Sequence, residues 1–323
     1  MNYSAPLWLP GGNLQTILAA KLASTYAGTA PAFRRERWDT PDQDFIDVDW
    51  LDSPASQGAP LWLMFHGLEG SSSSHYALAC AELAREKGFA FAVAHFRGCS
   101  GELNRAPRAY HSGDYEEIAW ILARIRKVHL GPIFAIGISL GGNALLRWAE
   151  EAGQTARLTV SAVAAVCSPI DLAASGRAIS RGFNRQVYTR MFLRSMKPKA
   201  LAKLRQFPGL FDEHALRAAR DLYDFDNIFT APLHGFRDTE DYWRRASAKP
   251  HLEQIRVPSL VLNARNDPFV PAASLPSARE VGQYVTLWQP AQGGHVGFPS
   301  GTPPGRVTVL PLALQAWFSQ HSA

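Results

Sequence analysis

Short, mostly apolar runs alternate with helix-patterned stretches along much of this chain. That alternation narrows the possible folds more than any other feature. Pro60–Phe65, Phe89–Phe96, Pro132–Ile138, Leu158–Cys167 and Ser259–Asn263 have strand length and few charges, as strands buried on both faces require. Between them lie Ser74–Lys87, stopped by Gly88, Tyr115–His129 with apolar Ile118, Leu122 and Ile125, and Asn143–Ala152, stopped by Gly153; these have helical spacing and glycine stops. Strands that alternate with helices imply a mostly parallel sheet flanked by helices. Arg34–Trp38 and Phe45–Leu51, separated by a Thr-Pro-Asp turn, and Val285–Trp288 add three strands, and Val309–Gln320 reads as a closing helix.

From about Pro169 to Pro250 the alternation stops. Helical segments replace it, with Pro198, Pro208 and Pro232 as interruptions. We therefore expect a core made of residues 1–168 and 251–323, with 169–250 inserted as a helical cap after the sixth strand. The first cap helix is expected to share one apolar face through Phe183, Val187, Met191 and Phe192, with Arg181, Arg185, Arg190 and Arg194 on its other faces. Nine Lys or Arg and no Asp or Glu lie between Leu172 and Phe211. Such a block is a solvated basic side or a surface drawn weakly to anionic membranes or acidic substrates. Tyr223, Phe225, Phe229, Phe236, Tyr242 and Trp243 either pack this cap or line an acyl pocket.

The 323 residues are 46% hydrophobic and 19% charged, an ordinary globular composition. No run of eighteen apolar residues is present, so no membrane span is expected. Met1–Ala20 is broken by Pro6, Pro10, Gly11 and Gly12 and lacks a basic leader, so no secretory signal is expected either. Cys80, Cys99 and Cys167 are odd in number and widely spaced, which argues against a disulfide framework or a zinc site and for the reducing cytoplasm. The net charge of +5 is mild, and no nucleic-acid module surrounds the basic block.

Gly137-Ile138-Ser139-Leu140-Gly141 is a G-x-S-x-G pentapeptide placed between an apolar strand and a helix. That setting holds a serine on a strained turn above the carboxyl end of a sheet, and small flanking residues let strand and helix approach. A serine hydroxyl needs an adjacent base to act as a nucleophile. His295, in Gly293-Gly294-His295-Val296-Gly297 after the last strand, is the candidate base; His321 lies at the fraying end. Asp267 is the one carboxylate in the turn after Ser259–Asn263 and is the candidate for orienting that imidazole, whereas Glu280 reads as part of a helix. The oxyanion donors expected are the backbone N–H groups of Leu140, after the nucleophile, and Leu68, in His66-Gly67-Leu68-Glu69-Gly70.

Longer motifs carry a family resemblance. HGLEGS, HFRGCSGELNR, YHSGDYEE, GISLGGNALLRW, NARNDPFVP and GGHVGF, in that order, resemble the YheT-like branch of the α/β-hydrolases. PLWLPGGNLQTIL near the start and Phe225–Ser247 in the insertion resemble it too. The resemblance implies an α/β-hydrolase fold, with nucleophile, acid and base on Ser139, Asp267 and His295, and a carboxylic ester hydrolase acting on a small-molecule or lipid-like ester. Neither metal nor organic cofactor is expected. An acyltransferase using the same triad and a non-catalytic binding protein on this fold are the alternatives. A carboxylate-nucleophile dehalogenase is excluded by the serine at the elbow. Asp114, placed before the Tyr115 helix, reads as its N-cap.

Overall fold

A computed structural model describes residues 3–56 and 58–321. It holds one eight-stranded sheet: β1 (Phe33–Asp39), β2 (Phe45–Leu51), β3 (Leu61–Phe65), β4 (Ala90–Ala94), β5 (Ile133–Ile138), β6 (Ala162–Val166), β7 (Ser259–Leu262) and β8 (Val285–Trp288). The spatial order is β1-β2-β4-β3-β5-β6-β7-β8. β1 and β2 run antiparallel to their neighbours, and the six strands from β4 to β8 are mutually parallel.

The helices beside the sheet are α1 (Gly12–Lys21), α2 (His75–Lys87), α3 (Tyr115–Val128) and α4 (Leu140–Ala152), together with the C-terminal helix Val309–Phe318. Strand periodicity sends alternate side chains to two cores. Leu61, Leu63, Phe65, Ile133 and Ala135 pack with α3 and α4 residues such as Ile121 and Leu145. Trp62, Met64, Phe134 and Ile136 face the other way, against Ala77 and Ala81 of α2 and Leu314 and Phe318. Each large side chain buried this way contributes about 1.5–3 kcal/mol. The sheet is therefore fixed from both sides, and its carboxyl edge becomes a rigid platform for loops.

Several local expectations need correction. The run Leu158–Cys167 is a strand only from Ala162; its beginning lies in a short helix, α5 (Ala156–Thr159), where Leu158 is 79% exposed. Only from Ala162 do both faces meet core. The link between β7 and β8 contains no α-helix, only the short turn Ala272–Ser274, so Glu280 is not helical. Asp114 directly precedes α3, but its side chain accepts no capping hydrogen bond from the helix; its carboxylate is taken by Arg108.

Between β6 and β7 the chain forms helices only, beginning with α6 (Leu172–Ile179), α7 (Gly182–Asn184) and α8 (Arg190–Gln206). Pro198 does not interrupt α8 but sits inside it. The carbonyl it leaves unpaired belongs to Arg194, an exposed residue to which water has access. Pro232 occupies the first turn of Ala231–Leu233, where its missing N–H costs nothing. The expected apolar face through Phe183, Val187, Met191 and Phe192 is also revised. A wider turn at Arg185–Thr189 changes the helical phase, so Tyr188 and Leu193 are buried while Phe183 and Met191 are about half exposed.

Candidate active site

Ser139 sits between β5 and α4, which begins at Leu140 rather than at Asn143. Its backbone has φ 52° and ψ −119°, a conformation that costs a non-glycine residue about 1–3 kcal/mol. The turn survives because its neighbours are glycines. A Cβ on Gly137 would stand 2.4 Å from Gly142 Cα, and one on Gly141 would stand 2.5 Å from the Phe65 and His66 carbonyl oxygens. The Ser139 amide donates to Val166 O at 2.8 Å, anchoring the turn to β6.

His295 and Asp267 reach the same point from later loops. His295 Nε2 lies 2.9 Å from Ser139 Oγ, and His295 Nδ1 lies 2.8 Å from Asp267 Oδ2. The Asp267 side chain is fully buried. Its other oxygen accepts the Phe269 and Val270 amides at 2.7 and 3.3 Å, and the Phe269 ring lies 4.2 Å from that of His295. A neutral imidazole beside this carboxylate keeps its proton on Nδ1, which leaves Nε2 to accept from the serine hydroxyl.

The loop Gly67–Gly70 brings Leu68 to the pocket that His295 lines. Among the described residues, neither the Leu68 nor the Leu140 N–H has a protein acceptor. Both residues line one pocket with Ser139 and His295. Leu140 also opens α4, whose first-turn amides and dipole favour negative charge. His66 fixes the loop from beneath. Its Nε2 accepts the Phe96 amide at 3.0 Å, so its proton sits on Nδ1 and goes to Gly67 O at 2.7 Å. Burial pushes the His66 pKa down to about 3, so the ring stays neutral.

The sequence reading missed the support behind His295. Gln15, fully buried on α1, accepts from the Gly293 amide and from Asn266 Nδ2, each at 2.9 Å, and donates to Leu9 O. Thr16 Oγ1 accepts the His295 amide at 2.8 Å and donates to Gly12 O. Gly12 itself lies so close to Asn266 that a Cβ there would stand 1.8 Å from its carbonyl oxygen. The amino-terminal motif PGGNLQTIL thus braces the acid and histidine loops, and its uncharged Gln-Thr pair beside glycines was the only signal available. Asn143 plays a similar part on α4. Its amide donates to Ser112 O and Ala246 O and accepts from the Ala248 amide, tying the end of the helical insertion to the elbow.

Cys167, Asp267 and His295 hold the one trio of metal-capable side chains found among the described residues, with ligand atoms within 4.8 Å of one another. Its donors are already engaged. Asp267 and His295 bond each other, the Cys167 sulfur accepts the Val296 amide at 3.3 Å, and burial pushes its thiol pKa well up. Such a donor set suits proton transfer better than cation ligation.

The pocket above Ser139 is lined largely by apolar groups, among them Leu172, Ile179, Phe192 and Leu222. Of the six aromatics singled out above, Tyr242 and Trp243 line it. Phe225 and Phe229 line an adjoining chamber, Phe236 packs on Tyr242, and Tyr223 is partly exposed.

Fold and match together define the class: residues 60–302 match the α/β hydrolase fold family, and the chain belongs to it. Within that family it is 40% identical over 271 residues to YheT of Escherichia coli K12, described as a candidate esterase, covering 83% of this chain and 79% of that one. It is also 27% identical over 316 residues to the mouse phospholipase ABHD3, covering 95% of this chain and 76% of that one. Of solved structures, an esterase from Thermogutta terrifontis superposes with a TM-score of 0.53 at 17% identity, over 90% of this chain and 100% of that one. An esterase from Pyrococcus furiosus gives a TM-score of 0.56 at 14% identity, over 93% and 98%. At those identities the structural likeness speaks to the fold. The chain is thus an esterase/lipase-type member of the family, in the YheT-like branch that its motifs resemble. No helix of the described residues is long and apolar enough to cross a membrane.

Proposed function

We propose that this protein hydrolyses carboxylic esters through an acyl-enzyme formed on Ser139. The observation that carries this reading is the continuous chain Asp267–His295–Ser139, with contacts of 2.8 and 2.9 Å, ending beside two amides without acceptors. His295 Nε2 takes the serine proton as Oγ attacks the ester carbonyl. The oxyanion of the tetrahedral intermediate receives the Leu68 and Leu140 N–H groups. His295 then returns the proton to the departing alcohol, leaving Ser139 acylated. Water, deprotonated by the same imidazole, releases the acid and regenerates the hydroxyl. Asp267 holds the ring and stabilises the imidazolium in both halves.

The apolar pocket favours short- to medium-chain acyl groups or lipid-like esters. Residues 169–250 act as a cap on the core formed by 1–168 and 251–323, since α6 and α8 supply Leu172, Ile179 and Phe192 to the pocket. Among the described residues Arg181, Arg185, Arg190 and Arg194 form no ion pair, and they flank the exposed Phe183 and Met191. That composition fits weak contact with an anionic lipid surface; flotation that does not differ between anionic and neutral vesicles would remove this part of the reading. The three free cysteines accord with a reducing cytoplasm.

The main test is hydrolysis of a nitrophenyl ester series of increasing acyl length, with Ser139→Ala as control, together with fluorophosphonate labelling. Labelling that persists in Ser139→Ala, or activity unaffected by it, refutes the assignment.

A further inference from the structure

Glu69 follows the oxyanion donor Leu68 and is itself in the left-handed region, with φ 58°. A non-glycine residue stays there only if its surroundings hold it. Tyr110 supplies part of that hold on both sides of the residue. Its hydroxyl accepts the Glu69 amide at 3.0 Å and donates to Glu69 Oε1 at 2.9 Å. The Tyr110 ring is stacked on Phe96 at 5.3 Å, so the hydroxyl is a fixed post.

The rest of the hold comes from the helical insertion. Lys199 of α8 reaches Glu69 Oε2 at 2.9 Å and Oε1 at 3.1 Å. Among the described residues it is the only ion pair between α8 and the loop that carries Leu68, and it joins a partly exposed ammonium to a largely buried carboxylate. Four residues along the same helix, Lys203 is buried and donates to Asn104 O and Ala106 O, which pins this half of α8 to the core. Lys199 is therefore held over the loop rather than free to wander. On the other side of Pro198, Phe192 and Met196 of the same helix line the pocket above Ser139.

We propose that Lys199 and Glu69 form a latch that couples the seating of α8 over the pocket to the direction of the Leu68 N–H. Lys199 is a positioning residue: it acts through Glu69 and touches neither the serine nor the carbonyl. With the helix seated, the ion pair holds residue 69 in its unfavourable conformation and the Leu68 amide points at the developing oxyanion. With the pair broken, residue 69 relaxes toward ordinary backbone angles and the amide turns away. The proposal rests on the serine-hydrolase reading above, because without an oxyanion there is nothing for Leu68 to serve.

The test compares wild type, Lys199→Met, Lys199→Arg, Glu69→Gln and the double variant Lys199→Met/Glu69→Gln on one nitrophenyl ester, with melting temperatures and rates of fluorophosphonate labelling alongside. Complete loss of an oxyanion donor costs roughly 100- to 1000-fold in kcat, so partial misdirection in Lys199→Met should cost about tenfold. The expected result is that loss in kcat with KM and melting temperature nearly unchanged, a parallel slowing of labelling, and near wild-type kcat in Lys199→Arg. The double variant should be no slower than the worse single one, as for two residues acting through one contact. Wild-type kcat in Lys199→Met overturns the latch. So does a change confined to KM, which would make Lys199 a substrate-binding group instead. Glu69→Gln guards against a special effect of the methionine, and a fully active Glu69→Gln overturns the latch equally. Wild-type protein that hydrolyses no ester and is not labelled at Ser139 defeats the serine-hydrolase reading and the latch together. Labelled, active wild type with indifferent variants defeats the latch alone.

Discussion

Thr16→Val is the most direct probe of how the amino-terminal helix serves the site. Valine keeps the shape of threonine and removes one hydroxyl. In the structure that hydroxyl accepts the His295 amide at 2.8 Å and donates to Gly12 O at 2.7 Å. The side chain is nearly buried, 7% exposed, so water replaces the lost acceptor poorly, and an unpaired amide there costs about 1–3 kcal/mol. The functional cost is separate. The His295 ring is fixed by its Asp267 contact and by its backbone, and the backbone is what Thr16 holds. A shift near 1 Å in a reacting group can cost about 100-fold; because Asp267 still grips Nδ1, we expect about tenfold in kcat, with KM little changed. The assay is steady-state hydrolysis of a nitrophenyl ester, paired with urea denaturation to measure stability. A Thr16→Val protein with wild-type kcat would refute the idea that α1 positions the histidine, whatever its stability.

Three further outcomes follow from the geometry. Gly141→Ala would put a methyl 2.5 Å from two backbone oxygens of the Phe65–His66 segment; overpacking of that kind costs about 1–3 kcal/mol or more, and a thermal melt equal to wild type would contradict it. Asn143→Leu leaves Ser112 O, Ala246 O and the Ala248 amide without their side-chain partner; at about 1–3 kcal/mol for each buried group left unsatisfied, urea unfolding should show at least about 3 kcal/mol lost. The pH profile of stability should decline from about 6.5 to 4.5 and then fall more steeply. In the upper range, buried neutral His66, His75 and His111, pushed down to about 3, 4 and 3, lose stability as the unfolded chain takes up protons. Glu117 and Asp226, raised by burial to about 7 and 6, gain it over much of the same range. Below about pH 4 the buried Asp44, Asp47, Asp49 and Asp114 decide the outcome. Their partners, including Arg37 and Arg35 for Asp47 and Asp49, hold their pKa values below the ordinary range. A lowered carboxylate gives stability above its unfolded pKa and loses it as pH falls, by about 1.4 kcal/mol per group per pH unit. Circular dichroism should therefore find an unfolding midpoint between about pH 3 and 4, and a folded protein at pH 2.5 would refute this account.

The sequence made the inner strands β3 to β7 legible because they are buried on both faces and carry almost no polar residues. PLWLMF and PIFAIGI read as strands without help from context. The elbow was legible for a related reason: only glycine fits at Gly137 and Gly141, where an added Cβ would stand 2.4–2.6 Å from backbone atoms. The convergence of Ser139, Asp267 and His295 could be anticipated from chain order, since each follows a strand whose carboxyl end lies on one edge of a parallel sheet. The helical insertion resisted reading. Its phase depends on the wide turns Arg185–Thr189 and Asp226–Thr230, which no residue type announces, and Pro198 belonged to a helix that continued through it. Gln15 and Thr16 resisted for a different reason. The loop residues they brace lie more than 250 residues away, and nothing local distinguishes a buried glutamine that braces a loop from an exposed one on a helix.

The same contrast explains why the site draws on so many segments. Ser139, Cys167, Val296 and Phe298 all have positive φ, and all lie on or beside the loops that meet at the serine. Four residues in that conformation together cost about 4–12 kcal/mol, comparable with the whole stability of a domain. Local sequence cannot hold such angles, because each loop alone would relax. The hold comes from elements distant in sequence: Val166 O on the Ser139 amide, the Cys167 sulfur on the Val296 amide, and Gln15 on the Gly293 amide. Removing any one of these should disturb the geometry of the site more than the hydrogen bond lost would suggest, because the strain it restrains is shared among loops that touch.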